Sequence, residues 1–470
     1  MNEDGRQYQG ESEVDNLVKR FERMIEQDDQ RYFDLEEFEA IISHYLGFGE
    51  LQNAQKVLRY ASRLFPESLT LQLREAQILA GIGKHIQAIP RLNNLLLFEP
   101  TNEEIHLTLA SIYSQIKEHK QAINHFRNAL KVSDDDMKSD ICIDISIEYQ
   151  SIGEWRRALD VLKQAISIDT TNESALYEVA FCYDKIDCMT DAVRFFNSYI
   201  DDNPYSTAAW YNLGNTYHRL GKTKQAVDSY DFSIAIDKNF LRAYHQKAEA
   251  LTAAEHYADA LVAYRDILSV EATSAYILCN IGECYERLGE LEKAEEYYKE
   301  SLDIDSEFTD AFVGLGVLAD LQSQPVVAVR YFEHAVNLDE EHQDIRLLLA
   351  AALLKLNKPQ EAETQYSIVL KKDPKNKEAW EGRIFNLQQI EAHTAALEAL
   401  EQGLVVIKDN AHLLYLQFVS RFMSGDEAKA LDQLEQLLTH NFDTASRVFD
   451  LFPTLLNDER IAERYSSLKP

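Results

Sequence analysis

Asn212, Gln246 and Asn280 stand 34 residues apart in a chain of 470. A primary amide both donates and accepts, so a row of amides can hydrogen-bond the backbone of an extended peptide. Near them in the chain are residues able to stack on such a peptide or grip it: Tyr177, Phe181, Tyr211, Asn215 and Arg242. This is recognition chemistry, and signs of other chemistry are few. The 13 histidines include no HExxH and no Cys/His cluster with zinc spacing. His119 and His125 are too far apart for one helical turn and lack a third ligand. The phosphate-cradling patterns GxGxxG and GxxxxGK(S/T) are both absent, and Gly314-Leu315-Gly316 reads as helix packing. With 79 Asp and Glu, carboxylate pairs occur everywhere and carry no information. No catalytic residue, metal or cofactor is therefore expected, and an enzyme is not the reading.

The elements that must position these residues repeat. From Thr207 to Phe240, apolar and small residues recur three and four apart in two short runs, broken at Gly221-Lys222. That is the period of two amphipathic helices joined by a turn. Moving from Ala226 in steps of 34 reaches Ala192, Ala158, Ala260, Ala294, Ala328, Ala362, Ala396 and Ala430, with one step of 36 between Ala122 and Ala158. Ala88 and Ala54 continue the series toward the N-terminus. Four residues beyond each Ala is a large apolar or aromatic residue, such as Phe126, Phe196, Tyr230, Tyr264, Tyr298, Phe332 and Tyr366. Small residues recur at the facing place of the first helix: Ala76, Ala110, Ser146, Ala180, Gly214, Ala248, Gly282, Gly316 and Ala350. Small residues let two helices approach to the close end of the roughly 8–10 Å range. The aromatics are expected to fill the wedge between one hairpin and the next. A single hairpin cannot bury its apolar face, so the units must stack.

Trp210, Leu213, Gly214 and Tyr217, followed by Ala226 and Tyr230, resemble the tetratricopeptide repeat, whose pattern is W-x2-L-G-x2-Y, then Ala, then Phe or Tyr. The resemblance implies an all-α fold, a right-handed superhelical α-solenoid, whose first helices line the inner, concave face. Repeat places 2, 5, 6, 9, 12 and 13 would then point inward; 2, 5, 9, 12 and 13 share one helix face. In the fifth to eighth repeats those places hold Tyr177, Phe181, Tyr211, Asn212, Asn215, Arg242, Gln246 and Asn280, the expected peptide-binding set. The amide row looks like the asparagine ladder of some family members, with Gln246 replacing one rung. The two-carboxylate clamp of the chaperone-binding members is not met: its first lysine place holds Tyr211 and its second asparagine place Gln246. Further along, Val313, Val317, Leu347, Leu348 and Ala351 make the inner face apolar, which suits an amphipathic helix or one of the chain's own tails.

This pattern divides the chain into a disordered acidic tail (1–13), an N-terminal capping helix (14–34), twelve repeats (35–444) and C-terminal capping helices (445–470). Pro66, Pro100, Pro204 and Pro374 mark exit turns, while Pro90 falls inside a second helix and predicts a kink. The stretch Ser133 to Lys138 is two residues longer than its equivalents, as a longer acidic turn or as a hinge.

The formal net charge of −32 repels phosphate and anionic lipid, which argues against nucleic acid as a partner. It serves solubility, or it selects basic partners. No run reaches the ~18 apolar residues of a membrane span, so no membrane insertion is expected. Five cysteines without a CxxC pair, together with a polar, acidic start, point to free thiols in the cytoplasm. The expected function is a scaffold or adaptor that binds peptide segments of other proteins in its concave groove. The alternative is a structural subunit that self-associates or supports a larger assembly through its convex face or ends. Oligomeric state and partner identity are not legible.

Overall fold

The computed structural model describes residues 4–27, 31–407, 410–440, 442 and 446–469, and omits the side chains of 4–13, 136, 411 and 451. Among the described residues there are helices and no strand, so the protein is all-α. Successive helices pack against their neighbours as helix-turn-helix repeats. The chain divides into two compact units, 1–243 and 244–470, with the boundary inside helix Leu241–Ala253.

In the first unit, from Leu35–Gly47 to Thr207–Arg219, the first helix of each hairpin starts at a capping side chain and the second helix does not. Asn172 accepts from the Ala175 N–H at 3.2 Å and Ser206 from the Ala209 N–H at 3.2 Å. The first helix of each hairpin ends in a left-handed residue. After Thr207–Arg219, Gly221 takes φ 67° and the Lys222 N–H donates to the Tyr217 carbonyl at 2.9 Å. This six-to-one bond is the Schellman ending, which satisfies carbonyls the helix leaves open. The same ending recurs at Gly49, Gly83 and Gly153, and with non-glycine residues at Lys117 (φ 62°) and Asp187 (φ 53°). Holding an L-residue there costs about 1–2 kcal/mol; the tight turn between paired helices imposes it. The exit turn is tied differently: Trp210 Nε1 donates to the Pro204 carbonyl at 2.9 Å.

Packing follows the 34-residue pattern. Ala226 and Tyr230 are fully buried. A Cβ on Gly214 would meet the Tyr230 ring at 2.5 Å, so the small residue makes room for the ring of its own hairpin. Helix Asp4–Glu26 lays Val18, Phe21 and Met24 against the first hairpin, with the Phe21 and Phe33 rings 5.7 Å apart. The tail expected over 1–13 lies partly outside the described residues, and from residue 4 onward its backbone continues this helix. The extra residues near 133–138 do not lengthen a turn. They extend helix Asp135–Ser151 to 17 residues, capped by Asp134, because carboxylates at a helix N-terminus suit its dipole. Pro90 is accommodated within helix His85–Phe98.

The second unit uses the same devices. Left-handed turns occur at Gly289 and Gly425 and at Glu255, Ser323, Asn357 and Glu391. Trp380 Nε1 donates to the Pro374 carbonyl at 2.9 Å. Added Cβ atoms on Gly282 and Gly316 would meet Tyr298 at 2.9 Å and Phe332 at 2.5 Å. Tyr298 also crowds Gly314 of the next hairpin, so this ring does fill the wedge between hairpins. Near the C-terminus, Val448–Leu451, the 3₁₀ turn Pro453–Asn457 and Glu459–Leu468 bury Val448, Leu455 and Ile461 against Leu431 and Leu434.

Candidate functional site

The eight expected binding residues fall in both units, and each group is described within its own. In the first unit, helix Glu173–Lys185 supplies Tyr177 and Phe181, one helical turn apart. Helix Thr207–Arg219 supplies Tyr211, Asn212 and Asn215, and Arg242 opens the next helix. The Tyr177 and Tyr211 rings meet edge-on at 6.1 Å. The Arg242 guanidinium lies 5.9 Å from the centre of the Tyr177 ring, within cation–π range. Tyr211 also meets Phe240 at 5.3 Å, edge-on. Burial pushes the Tyr177 phenol upward and Glu173 adds to this, with Arg242 pulling the other way. Phe181 stays 43% exposed, edge-on to Trp155 at 5.8 Å and beneath the Lys185 ammonium at 5.0 Å. Three successive first helices thus gather Tyr177, Tyr211 and Arg242 into one aromatic and cationic cluster.

The amide row does not form as expected. Asn212 is only 3% exposed, and its Nδ2 donates to the Ala208 carbonyl of its own helix at 2.9 Å. Place 6 of this helix is therefore packed away rather than presented to a ligand. The Asn215 oxygen accepts from the Tyr230 hydroxyl at 2.8 Å, so this amide anchors the packing ring. In the second unit Gln246 Nε2 donates to Glu249 at 2.7 Å, and Asn280 Nδ2 donates to the Tyr276 carbonyl at 2.8 Å. Gln246 and Asn280 are half-buried and keep their oxygens unused by these bonds. The apolar stretch is also less open than expected, since Leu347 is 6% exposed.

Sequence reasoning missed Phe240, Trp155 and Lys185 in the first unit. Phe240 closes a repeat and Trp155 opens a second helix, places outside the inner-face rule. In the second unit it missed Asp310, Phe308 and Tyr298. Together with Tyr276, Asn280, Glu283 and Glu286 these line a cavity of ≈ 280 Å³ between helices Ala275–Arg287 and Thr309–Leu321. The signal was available for Asp310, which holds the same place as Arg242 and Tyr276. Among the described residues, no group of three or more His, Cys, Asp or Glu is placed to hold a metal ion. No described helix is long and apolar enough to cross a membrane.

Sequence profiles of the tetratricopeptide repeat match residues 207–240 and 275–308, 321–383, and 103–136. Those stretches are tetratricopeptide repeats, and the paired helices and recurring turns continue the same architecture among the described residues around them. The human protein O-mannosyl-transferase TMTC3 is 22% identical over 269 residues, covering 57% of this chain and 26% of that protein. The CTR9 homolog of Arabidopsis thaliana is 23% identical, covering 58% of this chain and 26% of that protein. Anaphase-promoting complex subunit 3 of Schizosaccharomyces pombe is 22% identical, covering 56% and 40%. The chain therefore matches about a quarter to two fifths of the length of these relatives.

Proposed function

We propose that this chain is a non-catalytic scaffold that holds segments of partner proteins against its first helices. The cluster of Tyr177, Tyr211 and Arg242 carries the reading. Its side chains come from three successive first helices, and rigid aromatic rings beside an arginine are the residue types that anchor protein interfaces. Exposed Phe181, one turn beyond Tyr177, extends the same surface. An extended peptide is the favoured ligand here, and an amphipathic helix the alternative along the more apolar Val313 and Val317. The repeats are taken as twelve over 35–444, with helical caps at 14–34 and 445–470. Two relatives, TMTC3 and TMTC1, bear the name of a transferase, but their matches cover only 26% and 18% of those proteins. A cytoplasmic setting fits the cysteines: burial pushes Cys142 and Cys284 up to about 11, which keeps them as unreactive thiols.

Affinity capture tests the location. Tyr211→Ala combined with Arg242→Ala should lose, by about tenfold or more, the partners that the unaltered chain retains. Partners that survive the double substitution in a folded chain would refute this surface.

The second reading, an assembly subunit, draws on helix His85–Phe98, where Ile86, Leu97 and Phe98 are 90%, 79% and 72% exposed. Its relative from Schizosaccharomyces pombe is named as the subunit of a complex. Light scattering that finds a strict monomer at high concentration removes the self-association version.

A further inference from the structure

The cavity in the second unit has a definite chemistry. At ≈ 280 Å³ it falls just below the roughly 300–1,000 Å³ of small-molecule sites, a size suited to one long side chain. Its rim carries the Tyr276 and Phe308 rings, and Tyr298 lies behind. Three carboxylates face it, Glu283, Glu286 and Asp310, against a single cation, Arg287. Arg287 is exposed and lies 3.7 Å from Glu283. Glu286 accepts from the Tyr298 hydroxyl at 2.9 Å. Asp310 is held by no hydrogen bond or ion pair among the described residues.

Burial and the neighbouring carboxylates act together on two lining groups. Burial, then Asp310, Glu283 and Glu286, push the Cys279 thiol far up, and that side chain is only 8% exposed. Burial raises the Glu286 carboxyl, and Glu283 adds to this, while Tyr298 and Arg287 oppose it. A partly buried site with excess negative charge and aromatic walls favours a cation, because Coulomb and cation–π attractions strengthen as water is excluded. The carboxylates are not gathered for a metal ion. A flexible ammonium or guanidinium on a methylene stem reaches separated acceptors and packs its stem on the rings.

We propose that this cavity receives a lysine or arginine side chain of a partner segment held on the first helices of this unit. The proposal rests on the segment-binding reading and adds the chemistry of the partner: a basic residue within an otherwise extended segment. It also gives the chain's negative charge a local role in partner choice.

The test uses the full chain and fluorescent random-sequence octapeptide pools whose central residue is fixed as Arg, Lys, Gln or Glu. Anisotropy should show the Arg and Lys pools binding about tenfold tighter than the Gln pool, and the Glu pool weaker still. Asp310→Asn with Glu286→Gln should remove the difference and leave the Gln-pool affinity in place. Asp310→Lys, at an exposed position, should do the same by placing an ammonium at the cavity mouth, without altering a buried group. Affinities within twofold across all four pools overturn this proposal and leave segment binding standing. A preference that persists in a folded Asp310→Lys chain also overturns it. No measurable binding by any pool sinks both.

Discussion

Tyr230 in the first unit and Tyr298 in the second occupy the same place in their repeats and do the same packing work with different partners. Each ring lies over a glycine of its own hairpin, Gly214 and Gly282. Each hydroxyl then donates to a side chain on the first helix. Tyr230 meets the neutral amide of Asn215 at 2.8 Å, and Tyr298 meets the carboxylate of Glu286 at 2.9 Å. The scaffold is therefore common to both regions, and the acceptor at its inner edge is not. In the first unit the surroundings are aromatic and cationic, through Tyr177, Tyr211 and Arg242. In the second they are acidic, through Glu283, Glu286 and Asp310. A repeat fold keeps its packing places constant and varies the places between them, so one architecture carries two chemistries.

The largest test concerns what the two regions share. Tyr230→Ala and Tyr298→Ala each delete a fully packed ring over a glycine. Each should cost about 3–5 kcal/mol, read as a lower urea midpoint. A loss below about 1 kcal/mol at either site would mean that the ring is not the packing element described.

A smaller effect separates the regions. Tyr298→Phe leaves a partly buried carboxylate short of a donor and should cost about 1.5–3 kcal/mol. Tyr230→Phe removes a bond to a neutral amide and should cost about 0.5–1.5 kcal/mol. Equal losses in paired denaturation curves would erase the distinction between the two acceptors.

The smallest effect is one of pH. Burial holds the Glu286 carboxyl above its ordinary value, so the native chain binds that proton more readily than the unfolded chain. Stability referred to a Glu286→Gln variant should therefore rise as pH falls from neutral into the carboxylate range. Asn215, the acceptor for the Tyr230 hydroxyl, does not titrate, so the matching hydrogen bond of the first unit carries no such dependence. Urea midpoints at pH 7 and pH 5 for both proteins measure the sign, and a fall on acidification relative to the variant would reverse the assignment.

The 34-residue spacing made the packing places readable in advance. Alanine, a large residue four positions later and a small residue on the facing helix each answer to helix geometry, which depends on position alone. Gly214 and Tyr230 meet as that pattern requires. The inner face was readable only as a set of places. That Tyr177, Tyr211 and Arg242 converge was foreseen by place, whereas their partner Phe240 was not. Asn212 shows the limit: its residue type suggested a ligand contact, and its amide bonds its own helix instead. Side-chain rotamers answer to the neighbouring elements, and those neighbours lie far away in sequence. The acidic stretch near 133–138 failed for another reason, since capping by Asp134 turned an apparent turn into helix.

Sequence by itself determined the repeating helical hairpins and their apolar seams, because those depend on a local period and on residue size. It also determined the negative charge and the absence of recognisable catalytic motifs. Only the tertiary structure decided which amides bond within the chain, and that a cavity would open beside Asp310. Those outcomes depend on distances between side chains from different hairpins, which no local spacing specifies.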